Sequence, residues 1–299
     1  MKYRVIALDG SPKAGKTELA KRIIVCLKAK GYHPVVIESS NSFFNLCDMY
    51  IGKQSSGCPP CPPKNDCCVT VKDHYTGPNM YKDCFFKMPI NQYLDILFKK
   101  INNGMTGSNI NNNPKGSAEF ILQSMFALYY QNISAAETAL AIDKKAVVIL
   151  DGSPYEAIVW HLIYAKNYRG AAEYALKMIN RIRAQFPCVF ERMLYVLTHT
   201  EPVQIYDRTK FDCKAFSEYQ AIYQQMTDNK TNIDAGAQVQ IGISYVNDFF
   251  QNVRDLVRCE HIDALTVPGN YVEEITRNAM NITAKFPPLT NKNDGYPGN

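Results

Sequence analysis

Gly10-Ser11-Pro12-Lys13-Ala14-Gly15-Lys16-Thr17 places two glycines, a lysine and a hydroxyl at the spacing G-x-x-x-x-G-K-[ST]. Glycines at those places let backbone N–H groups curl around phosphate oxygens, and a helix N-terminus behind them adds partial positive charge. Lys16 then reaches the β/γ-phosphates, and the Thr17 hydroxyl ligates Mg²⁺. Average residue usage would produce such a pattern in about one in a hundred chains of this length. The plainer reading is a glycine turn with Lys16 and Thr17 as solvated first-turn residues. Context opposes it, because an apolar run precedes the turn and helical spacing follows. The expectation is a nucleoside triphosphate site that uses ATP with Mg²⁺.

A second group of reactive side chains is Cys58-Pro59-Pro60-Cys61 followed by Cys67-Cys68. C-x₂-C suits half of a tetrahedral Zn²⁺ site, with Cys84 as a substitute ligand. Adjacent cysteines rarely point at one metal, so this reading competes with a proline-stiffened insertion carrying free thiols. A thioredoxin-like role fails because this C-x-x-C does not open a helix after a strand.

The elements that must position these groups alternate. Strands are expected at Tyr3–Asp9, His33–Glu38, Lys145–Asp151, Arg192–Thr198 and His261–Val267. Helices are expected at Lys16–Lys30, Ile90–Ile101, Ser117–Ile142, Tyr155–Lys166, Gly170–Gln185, Glu201–Lys210, near Phe216–Gln225, near Tyr245–Arg258, and at Asn270–Met280. Residues 40–90 hold no period and are dense in Gly, Pro, Cys and Lys, so they read as an insertion. Asn102–Gly116 reads as a loop, and the tail from Lys285 as frayed. Short apolar strands separated by helices predict an α/β fold with a five-stranded parallel sheet wrapped on both faces. Residues 1–284 are expected to form one domain, with a lid at about 205–215, and residues 285–299 a flexible tail.

The chain has 299 residues, 33 Lys+Arg against 28 Asp+Glu, 46% hydrophobic and 20% charged residues. That composition excludes a disordered or collagen-like chain. A net charge of +5 is too mild to point to nucleic acid, and no apolar run approaches the length that spans a bilayer, so neither nucleic acid nor membrane is expected as a partner. The N-terminus lacks the pattern of a signal peptide, and ten cysteines in so long a chain do not read as a disulfide framework; an intracellular, cytoplasmic setting is expected.

Small-molecule kinases need a carboxylate at the end of the second strand, an acceptor pocket and a cationic lid. Nothing resembling a guanine-reading N-K-x-D occurs near the late strands. Asp9–Thr17 resembles the phosphate loop of the deoxynucleoside kinase and thymidylate kinase superfamily, and its leading Asp-Gly is similar to herpesvirus thymidine kinases. Val147–Tyr155 resembles that superfamily's strand ending in an acid before a helix. The resemblance implies a three-layer P-loop kinase fold and a homodimer. It implies Glu38 as general base for the 5′-hydroxyl, Gln123 as a partner of the base edge, and Phe43, Phe44, Phe120 and Tyr155 as ring-stacking walls. It also implies Asp151 as a holder of Mg²⁺ or its water shell, with a helix N-cap as the alternative.

Two positions depart from the family. Gly152 stands where an arginine is usual, and the lid Tyr206–Lys214 offers one arginine, Arg208, with Lys210 and Lys214; Arg181 and Arg183 are the other candidate cations. The expected activity is ATP-dependent phosphorylation of a thymidine-like nucleoside to its 5′-monophosphate. The alternatives are a thymidylate-type monophosphate kinase and a degenerate nucleotide-binding or structural subunit. No arginine occurs between Arg22 and Arg169, which favours the nucleoside over a monophosphate acceptor.

Overall fold

Successive side chains of Val5–Asp9 (β1) point to opposite sides, and every one of them is buried, so this strand lies at the middle of a sheet covered on both faces. A computed structural model describes residues 2–38, 114–164, 171–227 and 233–289 of the chain. Besides β1 it contains α1 (Lys16–Ala29), β2 (His33–Glu38), α2 (Pro114–Ile142), β3 (Ala146–Asp151), α3 (Glu156–Tyr164), α4 (Ala171–Gln185) and α5 (Pro187–Glu191). It continues with β4 (Met193–His199), α6 (Pro202–Thr209), α7 (Cys213–Met226), α8 (Ala235–Cys259), β5 (Asp263–Pro268) and α9 (Val272–Ala284).

The sheet has five strands in the order β2-β3-β1-β4-β5, all parallel, as the sequence predicts. Val5, Ala7, Val148, Leu150, Tyr195 and Leu197 face α2, α3, α4 and α8, packing on Tyr129, Trp160, Ile179 and Phe250. Ile6, Leu8, Val147, Ile149, Leu194 and Val196 face α1 and α9, packing on Leu19, Ile23, Ala279 and Ile282. Two cores back to back make the three layers. The register brings the C-terminal ends of β1, β3 and β4 together, with Asp9 beside Leu197 and Leu8 beside Asp151. Residues leaving those ends share one edge of the sheet, where ligands of open α/β folds sit.

Several boundaries differ from expectation. Helix α2 begins at Pro114, inside the stretch expected as loop, because a proline suits a first helical turn. Helix α8 begins at Ala235, ten residues before the expected start near Tyr245. The Asp234 carboxylate accepts the Ala237 N–H at 3.0 Å, and Val239, Gly242, Ile243 and Val246 are buried at helical spacing. The insertion at about 40–90 and the helix expected over Ile90–Ile101 lie outside the described residues. No helix of the described residues is long and apolar enough to cross a membrane.

Residues 285–289, expected to fray, are docked. Phe286 is fully buried between Tyr3 and Tyr32, at ring-centroid distances of 6.3 and 6.1 Å. The Tyr32 hydroxyl donates to Pro287 O at 2.5 Å, and Leu289 N donates to Lys30 O at 3.0 Å. Residues 290–299 lie outside the described residues. Phe286→Ala is expected to destabilise the protein by about 3–5 kcal/mol, read as a lowered urea midpoint with unchanged slope.

Candidate functional site

The turn after β1 has a conformation that its sequence enforces. Gly10 has φ 144°, and a Cβ there would lie 2.3 Å from Thr198 O, so β4 approaches as closely as a backbone can. Gly15 (φ 96°) caps α1, and Lys13 (φ 65°) occupies the left-handed region between them. The segment is curled, closed by Ala14 N donating to Ser11 O at 3.0 Å.

Every carbonyl of the curl is taken by a donor of the chain. Lys16 Nζ donates to Gly10 O at 2.5 Å and to Ser11 O at 3.2 Å. The Tyr219 hydroxyl donates to Pro12 O (2.8 Å), Arg208 Nη1 to Lys13 O (2.8 Å), the Thr200 hydroxyl to Ala14 O (3.0 Å) and Leu19 N to Gly15 O (3.0 Å). By contrast, the amides of Lys13, Gly15, Lys16 and Thr17 donate to no atom of the described residues. The loop is thus sorted by polarity: its acceptors are spent on the protein, and its donors, at a helix N-terminus, are left for an anion.

Carboxylates gather beside this loop. Asp151 lies against the Thr17 hydroxyl and near the Lys16 ammonium; burial pushes its carboxyl up, and those two neighbours oppose the rise. A hydroxyl and a carboxylate side by side are an all-oxygen donor pair of the kind Mg²⁺ accepts, the remaining positions falling to phosphate oxygens and water. Thr17 and Asp151 therefore fit the ion. Among the described residues no cluster of three or more His, Cys, Asp or Glu is placed to hold a metal ion.

Beneath the loop, Asp9 is fully buried and accepts from Ser153 N at 2.6 Å and the Ser153 hydroxyl at 2.5 Å. Burial raises its proton affinity, and the Ser153 bonds and the Lys16 charge moderate the rise. Glu156, in the first turn of α3, is 5% exposed and accepts the Trp160 indole N–H at 2.9 Å. Burial, and then repulsion from Asp9, push its carboxyl up to about 8. Gly152 has φ 101° and donates its N–H to Leu8 O at 3.0 Å; it makes the turn that brings Ser153 onto Asp9.

Of the residues expected from sequence, the structure brings together Gly10 to Thr17, Asp151 and Arg208. The Glu38 backbone is at the same sheet edge, paired in register with Asp151. Arg208 reaches the loop from α6, and its guanidinium is held by three carbonyls, those of Lys13, Gly269 (2.9 Å) and Asn270. Tyr155 does not line a pocket. It is fully buried, its ring edge-on to Phe190 and Tyr195, because the turn after Gly152 aims it into the core. Phe120 and Gln123 fall on α2, whose placement there extends only to the backbone. Phe43, Phe44, Cys58, Cys61, Cys67 and Cys68 lie outside the described residues. Arg183 pairs with Glu260 at 2.8 Å, at the edge where the strands begin, so it stands away from the loop.

Sequence reading missed Asp9 as a buried acid, along with Glu156, Thr200, Tyr219 and Asn247. Only the acid just before Gly10 carried a local signal; Thr200, Tyr219 and Asn247 reach the loop from remote segments, and Glu156 lies beneath it near Asp9. No family model matches the chain, and no curated protein matches it in sequence. Among solved structures, a thymidylate kinase from Candida albicans is similar to it with a TM-score of 0.40 and 13% identity, over 95% of this chain and 92% of that one.

Glu156 generates a pH dependence of stability. Between its unfolded value of 4.5 and its folded value of about 8, the native state keeps a proton that the unfolded chain has lost. Stability therefore falls as pH rises through that window and levels off above it, with a slope of at most about 1.4 kcal/mol per pH unit from this group. Glu156→Gln keeps an acceptor for Trp160 and is expected to flatten the fall between pH 5 and 8, measured by urea unfolding across pH.

Proposed function

We propose that the chain is an ATP-dependent phosphotransferase that phosphorylates a (deoxy)nucleoside, thymidine-like in kind, at its 5′-hydroxyl, as in nucleotide salvage. One observation carries the reading. From Gly10 to Gly15 every carbonyl is held by the protein, while the amides of Lys13, Gly15, Lys16 and Thr17, beside a helix N-terminus, donate to no atom of the described residues, an arrangement that suits polyphosphate over cations. The acceptor class rests on the resemblance of Asp9–Thr17 and Val147–Tyr155 to the deoxynucleoside kinases.

In this reading the loop amides orient the triphosphate and Lys16 leaves the Gly10 and Ser11 carbonyls to pair with its β/γ-oxygens. Thr17 and Asp151 hold Mg²⁺, which neutralises phosphate charge when bound. Glu38, in register with Asp151, takes the proton of the acceptor hydroxyl, and Arg208 adds positive charge behind Lys13. Phe43, Phe44, Phe120 and Gln123 complete the nucleoside pocket, and a thymidylate-type monophosphate acceptor belongs in the same assay.

A second reading, a nucleotide-binding subunit without transfer, is favoured by Arg208. Its guanidinium already serves three backbone carbonyls, which leaves less of its fork for a migrating phosphoryl group. Incubating labelled ATP with a panel of nucleosides and monophosphates decides between them. Transfer to a nucleoside is expected, and Glu38→Gln is expected to slow it about 10²–10⁴-fold with ATP affinity unchanged. Lys16→Ala is expected to abolish it. ATP binding without transfer to any acceptor selects the second reading, and undiminished turnover in Glu38→Gln removes that residue from its role.

A further inference from the structure

We propose that α7 and α8 form a clamp that sets the phosphate loop, with Tyr219 and Asn247 as positioning residues; its effect on nucleotide affinity rests on the reading above. Three consecutive loop residues are each held by this helix pair. Ser11 donates its hydroxyl to Asn247 Oδ1, Pro12 O accepts from the Tyr219 hydroxyl at 2.8 Å, and Lys13 Nζ pairs with Asp212 Oδ2 at 2.7 Å just before α7. The first two contacts are shielded, since Tyr219 is 1% and Asn247 5% exposed. The Lys13–Asp212 pair is open to solvent and contributes little.

Asn247 joins both halves of the curl. Its Oδ1 takes the Ser11 hydroxyl, while its Nδ2 donates to Thr200 O at 2.9 Å; the Thr200 hydroxyl in turn donates to Ala14 O. A buried amide with donor and acceptor both engaged has one orientation. Tyr219 is placed by helix contact. A Cβ at Gly242 of α8 would lie 2.2 Å from Tyr219 O, so the two backbones touch there and the phenol reaches Pro12. Pro12 has no N–H, and its carbonyl is captured by the Tyr219 hydroxyl. The polar atoms of these two side chains hydrogen-bond the loop and the residue after β4, so their work is to aim the peptide groups rather than to meet a reacting atom.

The test uses the full chain. Tyr219→Phe removes one hydroxyl and leaves the ring packed; Asn247→Ala removes the bridge. In nucleotide-free protein, NMR order parameters of the Ser11, Lys13, Ala14 and Gly15 amides are expected to fall from the rigid range of about 0.85 to below about 0.6, with those of β1 and β4 unchanged. Calorimetric affinity for MgATP is expected to weaken about five- to ten-fold in each variant. Order parameters unchanged in both variants, or loosening that spreads equally into β1 and β4, overturn the clamp. Loosened loop amides with undiminished MgATP affinity overturn the positioning role. A wild type that binds no MgATP sinks the nucleotide reading instead, while the order parameters still decide whether the clamp exists.

Discussion

A backbone turn presents as many carbonyls as amides, and a loop that is to hold an anion must dispose of the former. Here that disposal governs the surrounding structure. Lys16 lies across Gly10 and Ser11, Arg208 reaches in from α6, Tyr219 from α7 and Thr200 from the end of β4, each ending on a carbonyl of the same six residues. Four separate segments thus supply donors to one short curl. Because an unpaired buried acceptor costs about as much as a lost hydrogen bond, the pairing stabilises the turn at the same time as it exposes the amides.

The layer beneath the loop follows from the same need for a rigid base. Asp9 ends the central strand fully buried, a position that would be untenable for an unpartnered carboxylate; two hydrogen bonds from Ser153 and the proximity of Lys16 make it tolerable. Ser153 reaches Asp9 only because Gly152 adopts a positive φ, which an arginine would take with strain. Gly152 thereby makes a tight joint between β1 and β3. Glu156 then sits close enough to Asp9 that the two acids compete for ionisation, and the proton-bearing state of Glu156 persists well above the usual carboxylate range.

Much of this architecture was legible in the amino-acid order. Continuous burial along β1, β3 and β4 follows from unbroken apolar runs, which only a sheet covered on both faces accommodates. The helix after Gly15 follows from the apolar spacing of Leu19, Ile23 and Leu27. The two glycines, Lys16 and Thr17 announce the curl by local chemistry alone, since positive φ and a helix N-terminus are properties of adjacent residues. Where local cues were weak the reading slipped: the start of α8 sets Val239, Ile241 and Ile243 at every second position with Gln240 and Gly242 between, which obscures helical spacing, and Phe286 follows the last helix with nothing beside it in sequence to show the Tyr3–Tyr32 pocket that receives it.

What folding alone decided is which side chains answer the loop. Tyr219 and Asn247 look like ordinary helical residues until α7 and α8 touch at Gly242, and Tyr155, expected as a ring-stacking wall, is buried against Tyr195 by the turn at Gly152. Composition and spacing determine what a segment does with its own neighbours, whereas partners some two hundred positions apart, such as Ser11 and Asn247, meet only through the packing of layers. The chain order therefore determined that a curled glycine turn opens α1, and the tertiary structure decided what holds it in shape, because hydrogen bonds act over a few ångströms of space and are blind to distance along the chain.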